Sequence, residues 1–199
     1  MLGKTSLIAA GLAVTFGAFL STPAEAHRRW LLPSMTVFAG EEATATVDGA
    51  SSNQLFVFEH HAMQLDSLTV TGPDGQPVQP TTIGSGKLRS SFDVPLKLQG
   101  TYRIAVATEG LMGSYELNGE RKRWRGTRDQ ISQIPAGATN VQINESASRT
   151  ETFVTLGTPN EVALKSTGRG LELFPVTHPT DFATGEPAVL RFLLDGKPA

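Results

Sequence analysis

Cysteine is missing from all 199 residues of the chain. That absence excludes a disulfide framework, a thiolate metal site, a cysteine nucleophile and a lipid-modified N-terminal cysteine. Excess charge is missing too. The 17 Lys and Arg against 19 Asp and Glu leave a formal net charge of −2, so nothing points to a nucleic-acid partner. Beyond residue 26 no run approaches the roughly 18 apolar residues that a membrane helix needs. Familiar catalytic signatures are equally scarce. There is no G-x-S-x-G elbow and no H-E-x-x-H pair. Gly84-Ser85-Gly86-Lys87 imitates the end of a phosphate loop but puts Leu88 where a magnesium-holding hydroxyl must stand. The carboxylates are scattered, with no apolar pocket evident to hold two of them at different protonation. The expectation is a protein that is not an enzyme and is held together by its core.

What is present starts with the first residues. Lys4, the apolar stretch 7–20 and the small-residue exit Ala24-Glu25-Ala26 have the pattern of an export signal cleaved after Ala26. The expected product is periplasmic or secreted, has no membrane span and begins with His27. A first-position histidine can offer its α-amine and its imidazole to one ion. The amine loses its proton at about 7.7–8.0, against about 10.4 for a lysine ammonium, so it can act as a neutral ligand near physiological pH.

Past the leader, short apolar or alternating runs separated by turn residues predict an all-β fold, an immunoglobulin-like β-sandwich. Strands are expected at 35–38, 43–47, 55–58, 68–71, 88–94, 102–107, 114–117, 121–124, 150–156 and 171–174. Asn118-Gly119, between two strand-like arms, is the preferred pair for a type I′ hairpin turn. Leu98-Gln99-Gly100-Thr101-Tyr102 resembles a tyrosine corner, with Ile104 where an antibody domain carries its second cysteine. Thr127-Arg128-Asp129-Gln130 is a candidate capping box for one short helical turn. These elements place a sandwich domain at 27–175, a proline- and glycine-containing linker at 176–187, and at 188–199 the start of a second β module that is cut short. Asp195-Gly196 is a hairpin signal with only three residues after it, so the strand 188–194 either lacks a sequential partner or pairs back onto the first domain as an edge.

The chemistry rests on His27, His60, His61 and His178. In Glu59-His60-His61-Ala62-Met63-Gln64-Leu65-Asp66, strand alternation would put His60 and His61 on opposite faces, unless the chain turns at His60. In that case either ring could approach the N-terminus, with Glu59, Met63 and Asp66 nearby to complete a shell. An amine plus imidazoles without thiolate suits late transition metals, copper(II) most tightly, with nickel, zinc and cobalt below it. The candidate metal site is therefore His27, His60, His61, Glu59 and Asp66, and His178 is expected to be structural. Two other outcomes stay open: a copper oxygenase built on an N-terminal histidine brace, and an adhesion or assembly module. The module would bind no metal and act through the basic hairpin 115–128, which carries Arg121, Lys122, Arg123, Arg125 and Arg128.

Several segments together carry a resemblance: His27-Arg28-Arg29-Trp30-Leu31-Leu32-Pro33-Ser34, Gly100-Thr101-Tyr102-Arg103-Ile104, Thr152-Phe153-Val154-Thr155, and Leu171-Glu172-Leu173-Phe174-Pro175 through Gly185-Glu186-Pro187 to Asp195-Gly196-Lys197-Pro198. The chain resembles a bacterial family of exported proteins commonly described as the periplasmic component of cobalt or nickel transport systems. The resemblance implies an immunoglobulin-like β domain followed by a further β module. It also implies accessory work in metal uptake, with an inner- or outer-membrane metal transporter as partner. His27 corresponds to the family's opening histidine; His60 and His61 are inferred from this sequence alone.

Overall fold

The computed structural model describes residues 27–199, and the expected export leader lies outside the described residues. In chain order the strands are β1 (Arg28–Pro33), β2 (Val37–Phe38), β3 (Ala43–Ser52), β4 (His61–Ala62), β5 (Leu68–Thr71), β6 (Thr82–Ser85), β7 (Ser90–Leu96), β8 (Gly100–Leu117), β9 (Glu120–Gly126), β10 (Thr139–Leu156), β11 (Leu171–Pro175), β12 (Leu190–Leu194) and β13 (Lys197–Pro198). Short 3-10 turns lie at Arg128–Gln133, Val162–Leu164 and Pro179–Asp181.

Alternation decides which side chains enter the core. Along β7 every second residue is buried from Ser90 to Leu96, which turns Phe92, Val94 and Leu96 inward. They belong to the sheet ordered β1-β3-β7-β6, with β4 attached to β3. The facing sheet runs β2-β10-β8-β5, with β9 on β8, and contributes Tyr102, Ile104, Val106, Val154 and Leu156. Each such side chain stabilises the fold by about 1.5–3 kcal/mol when fully withdrawn from water. The result is the all-β sandwich the alternation predicts.

The tyrosine corner forms. The Tyr102 hydroxyl accepts from the backbone N–H groups of Lys97 (3.0 Å) and Leu98 (2.8 Å) and donates to the Leu98 carbonyl (2.9 Å). Asn118 and Gly119 take φ 55° and 79°, as a type I′ turn requires. At Thr127 the capping box forms: the Thr127 side chain faces the Gln130 N–H and Gln130 Oε1 accepts from the Thr127 N–H at 2.9 Å, while the Thr127 hydroxyl donates to Asp129 at 2.6 Å.

One expectation needs correction. Residues 55–58 are not a strand but an exposed turn with Phe56 at φ 64°. Of the two outcomes open for the C-terminal strand, pairing back is the one that forms. Leu171 to Pro175 pairs with Leu194 to Leu190, and β12 turns back through Asp195-Gly196 onto β13, so a third sheet takes strands from both sides of the expected linker. His178 ties that segment to the sandwich as expected of a structural residue: its Nε2 lies 3.1 Å from the Thr101 hydroxyl and 3.2 Å from the Asn160 carbonyl. Glu172 points inward from β11, where its carboxylate accepts from the Ser166 hydroxyl (2.5 Å), the Thr167 hydroxyl (2.8 Å) and the backbone N–H groups of Thr167 (2.7 Å) and Gly168 (3.0 Å).

Replacing Tyr102 by Phe leaves two N–H groups and a carbonyl without their partner, so denaturant unfolding should show a loss of about 2 kcal/mol or more. Glu172 gives a second expectation. Burial opposes its charge, but the bonds from Ser166, Thr167 and Gly168 outweigh that and hold its pKa at about 2, below the ordinary 4.5. A depressed carboxylate contributes stability above its unfolded pKa and loses it as pH falls through the folded one. The wild type should therefore lose stability between about pH 4.5 and 2 more steeply than Glu172→Gln, as acid titration followed by circular dichroism would show.

Candidate metal centre

Three histidines are gathered by the end of β3. Along its whole second half β3 carries β1 on one flank, with Arg28 opposite Ser52 and Arg29 opposite Ser51. The other flank belongs to β7 as far as Gly49 opposite Ser90, and then to β4, which sets His61 opposite Ser51. Cross-strand partners share a face, so Arg29, Ser51 and His61 point the same way. His27, two residues before Arg29, follows the same parity. Strands lie about 4.8 Å apart, so β1 and β4 are separated by roughly twice that, a gap two imidazole side chains can span.

His60 joins because the chain bends. Residues 59 and 60 lie outside any strand, so alternation no longer sends the His60 ring to the far face. Its ring stacks on His27 with centroids 3.7 Å apart and lies 4.9 Å from His61. One ligand nitrogen from each of His27, His60 and His61 falls within 4.8 Å of the others, and all three residues are exposed. His61 Nδ1 lies 3.1 Å from the Ala62 carbonyl. In the Nδ1–H tautomer that bond leaves Nε2 with its lone pair for an ion.

The remaining candidates are not brought in. The Glu59 carboxylate accepts from the buried Ser52 hydroxyl at 3.1 Å and stands outside the triad. Asp66 lies in the turn closed by the Leu68 N–H on the Leu65 carbonyl, beyond Met63, and also outside the triad. Met63 is only 2% exposed and packs in the core, so its thioether faces no ion. Partial desolvation, and then the neighbouring His27 and His61, lower the pKa of His60, while Glu59 opposes the shift. Crowding thus favours the neutral imidazole, the form that binds metal.

The loop before His60 is anchored by aromatic contacts. Phe56 and Phe58 meet Trp30 edge-on at 5.5 and 4.9 Å, and the Arg89 guanidinium sits 5.0 Å above the Phe58 ring. Trp30 is thereby buried, although β1 is an edge strand of its sheet. Behind the site, the Ala62 N–H donates to the Lys87 carbonyl (3.2 Å), the Met63 N–H to the Gly49 carbonyl (3.2 Å), and the Ser90 hydroxyl to the Met63 carbonyl (2.8 Å). These bonds fix β4 and with it His61.

On the basic hairpin, Arg121, Arg123 and Arg125 pair with Glu116, Ser114 and Met112 and share one face of the β8-β9 ribbon. Arg121 is engaged with the Ser114 hydroxyl and Lys122 with Glu120.

The chain belongs to the family described as Domain of unknown function (DUF4198), which matches residues 24–199. No curated protein and no solved structure matches the chain.

The aromatic anchor is directly measurable, because Trp30 and Trp124 are the two tryptophans. In a Trp124→Phe background, Phe58→Ala should uncover Trp30 and shift its emission to longer wavelength, whereas Phe38→Ala, at the opposite end of the core, should not do so in the folded protein.

Proposed function

We propose that this member of the family is an exported, non-catalytic metal-handling protein whose ion is held by His27, His60 and His61. Cleavage after Ala26 completes the site by adding the α-amine of His27. The observation that carries this reading is the convergence of three exposed imidazoles, from the residue just before β1, from β4 and from the bend that leads into β4. His27 is far in sequence from the adjacent His60 and His61, and none of the three contributes to the core, so burial does not account for their meeting.

The donor set selects the class of ion. Imidazole and amine nitrogens without thiolate favour copper(II), nickel, zinc and cobalt over calcium or magnesium, which take oxygen ligands. Ligand nitrogens about 2.0–2.1 Å from an ion lie roughly 3.3 Å from one another in a tetrahedral shell. Binding therefore requires the triad to contract and one ring to leave the His27–His60 stack. Exposed side chains make such rotations in picoseconds to nanoseconds, so the open arrangement imposes no slow step.

Exposure also suits delivery. A site at the surface, with its ligands on a strand end and a loop, can pass an ion to a second protein without unfolding. Together with the resemblance to periplasmic components of cobalt and nickel uptake, this supports a membrane metal transporter as the partner and nickel or cobalt as the cargo, with copper(II) the tightest binder in vitro.

Titration calorimetry on protein beginning at His27, and on the same protein with one extra N-terminal residue, tests the site. The extension abolishes the amine chelate and should weaken nickel or copper(II) at least tenfold. His60→Ala and His61→Ala should each weaken binding as well. Affinities unchanged in all three variants for copper(II), nickel, zinc and cobalt would remove the proposal.

A further inference from the structure

Next to the triad, and sharing only His61 with it, an open cleft of about 840 Å³ runs between the edges of the two sheets. That volume suits a small molecule. One wall comes from β1, β4 and the turn after β6, and the other from β8, β9 and β10. Arg29, Lys87 and Arg125 enter it from three different elements.

The charge in this cleft is unbalanced. Its carboxylate, Glu109, is already paired with Arg169 at 2.8 Å. Among the described residues Arg29, Lys87 and Arg125 take part in no ion pair. One Arg29 nitrogen donates to the Ser148 hydroxyl at 3.2 Å, which orients the guanidinium while leaving other N–H groups for a ligand. Three unpaired cations in one cleft stand out on a chain whose net charge is −2. Like charges held together in this way repel, and an anion relieves that repulsion.

We propose that this cleft binds a small polycarboxylate. Arginine forks match planar carboxylates two bonds at a time, and cations on three separate elements call for anionic groups that are themselves separated. A carbon skeleton carrying two or three carboxylates supplies both. The Met112 side chain, 40% exposed and lining the same cleft, offers the skeleton an apolar contact that a polyphosphate would not use. The ligand stays within the cleft and does not extend along the hairpin, so Arg123, on the same face but outside the cleft, plays no part.

Calorimetry with citrate as the probe, at low ionic strength and in buffer freed of metal by chelating resin, tests this. The expected result is saturable one-to-one binding, weakened at least tenfold in Arg29→Gln and in Arg125→Gln. Arg123→Gln and His27→Ala should bind as the wild type does, so the outcome is separable from the fate of the metal site. Thermal melts of each variant establish that the fold is retained. Absence of saturable citrate binding, or equal affinity in the Arg29 and Arg125 variants, would overturn the proposal. Equal loss in Arg123→Gln would reassign the surface to a longer polyanion on the hairpin. Pyrophosphate binding as tightly as citrate would overturn the assignment to carboxylates.

Discussion

The candidate centre depends on one stretch of backbone pairing: Ser51 of β3, fully engaged on both flanks, holds Arg29 on one side and His61 on the other. A shift of one residue in either pairing would send His27 or His61 to the opposite face, because side chains alternate strictly along a strand. The register is secured by burial. Leu31 turns into the core from β1, Trp30 is covered on the opposite face by Phe56 and Phe58, Met63 follows β4 into the core, and Gly49 leaves the space that Leu31 and Met63 occupy, since a β-carbon there would lie 3.3 Å from each. The position of the exposed histidines is therefore set by apolar residues one or two places away.

Much of the sandwich was legible from alternation and turn residues. The strands 68–71, 88–94 and 150–156, the corner at Tyr102 and the turn at Asn118-Gly119 rest on local physics that tertiary context does not override. The misread run 55–58 shows the limit. Its apolar, β-favouring residues serve as a cover for Trp30 instead of a ladder, and Phe56 adopts a left-handed backbone that no strand tolerates. β1 escaped notice because Trp30 and Leu31 are buried in succession, which breaks the period of two. The long arm of β8 was hidden by Gly110 and Gly113, and that of β10, which has no glycine, by its largely polar first half. Gly113 looks like a breaker in sequence, but a β-carbon there would come within 2.0 Å of the Gln142 carbonyl, so it marks a close backbone approach within the ladder.

The site was half legible for a related reason. His27 and His61 follow from register, once β1 and β4 are known to flank β3. His60 could not be placed by alternation, since its contribution depends on a bend that the aromatic loop imposes. Glu59 and Asp66 were chosen for proximity in sequence, and local bonds to Ser52 and within the Leu65–Leu68 turn direct them elsewhere. The third sheet carries a similar lesson. Leu171, Leu173, Leu190, Phe192 and Leu194 share its outer face, while Glu172 turns inward to donors from Ser166, Thr167 and Gly168. Burial raises the pKa of Glu151 beneath it, with Arg149 and Arg103 opposing the shift. Hydrophobic pattern alone would have assigned those two faces the other way round.

His61 lies in both the triad and the cleft, so the two proposed ligands, a divalent cation and an anion, would be neighbours. At a separation on the order of 10 Å in water, charges of +2 and −2 attract by about 1.7 kcal/mol, and screening at physiological salt reduces this to roughly 0.5 kcal/mol. Such a coupling changes each affinity by about twofold in salt and by more than tenfold without it. Reciprocity requires the factor to be the same whichever ligand binds first. A carboxylate that reached from the cleft to the ion would exceed this figure, because direct coordination replaces screened attraction at a distance. The size of the coupling therefore distinguishes two neighbouring sites that merely sense one another from a single site that takes up an ion together with its carboxylate ligand.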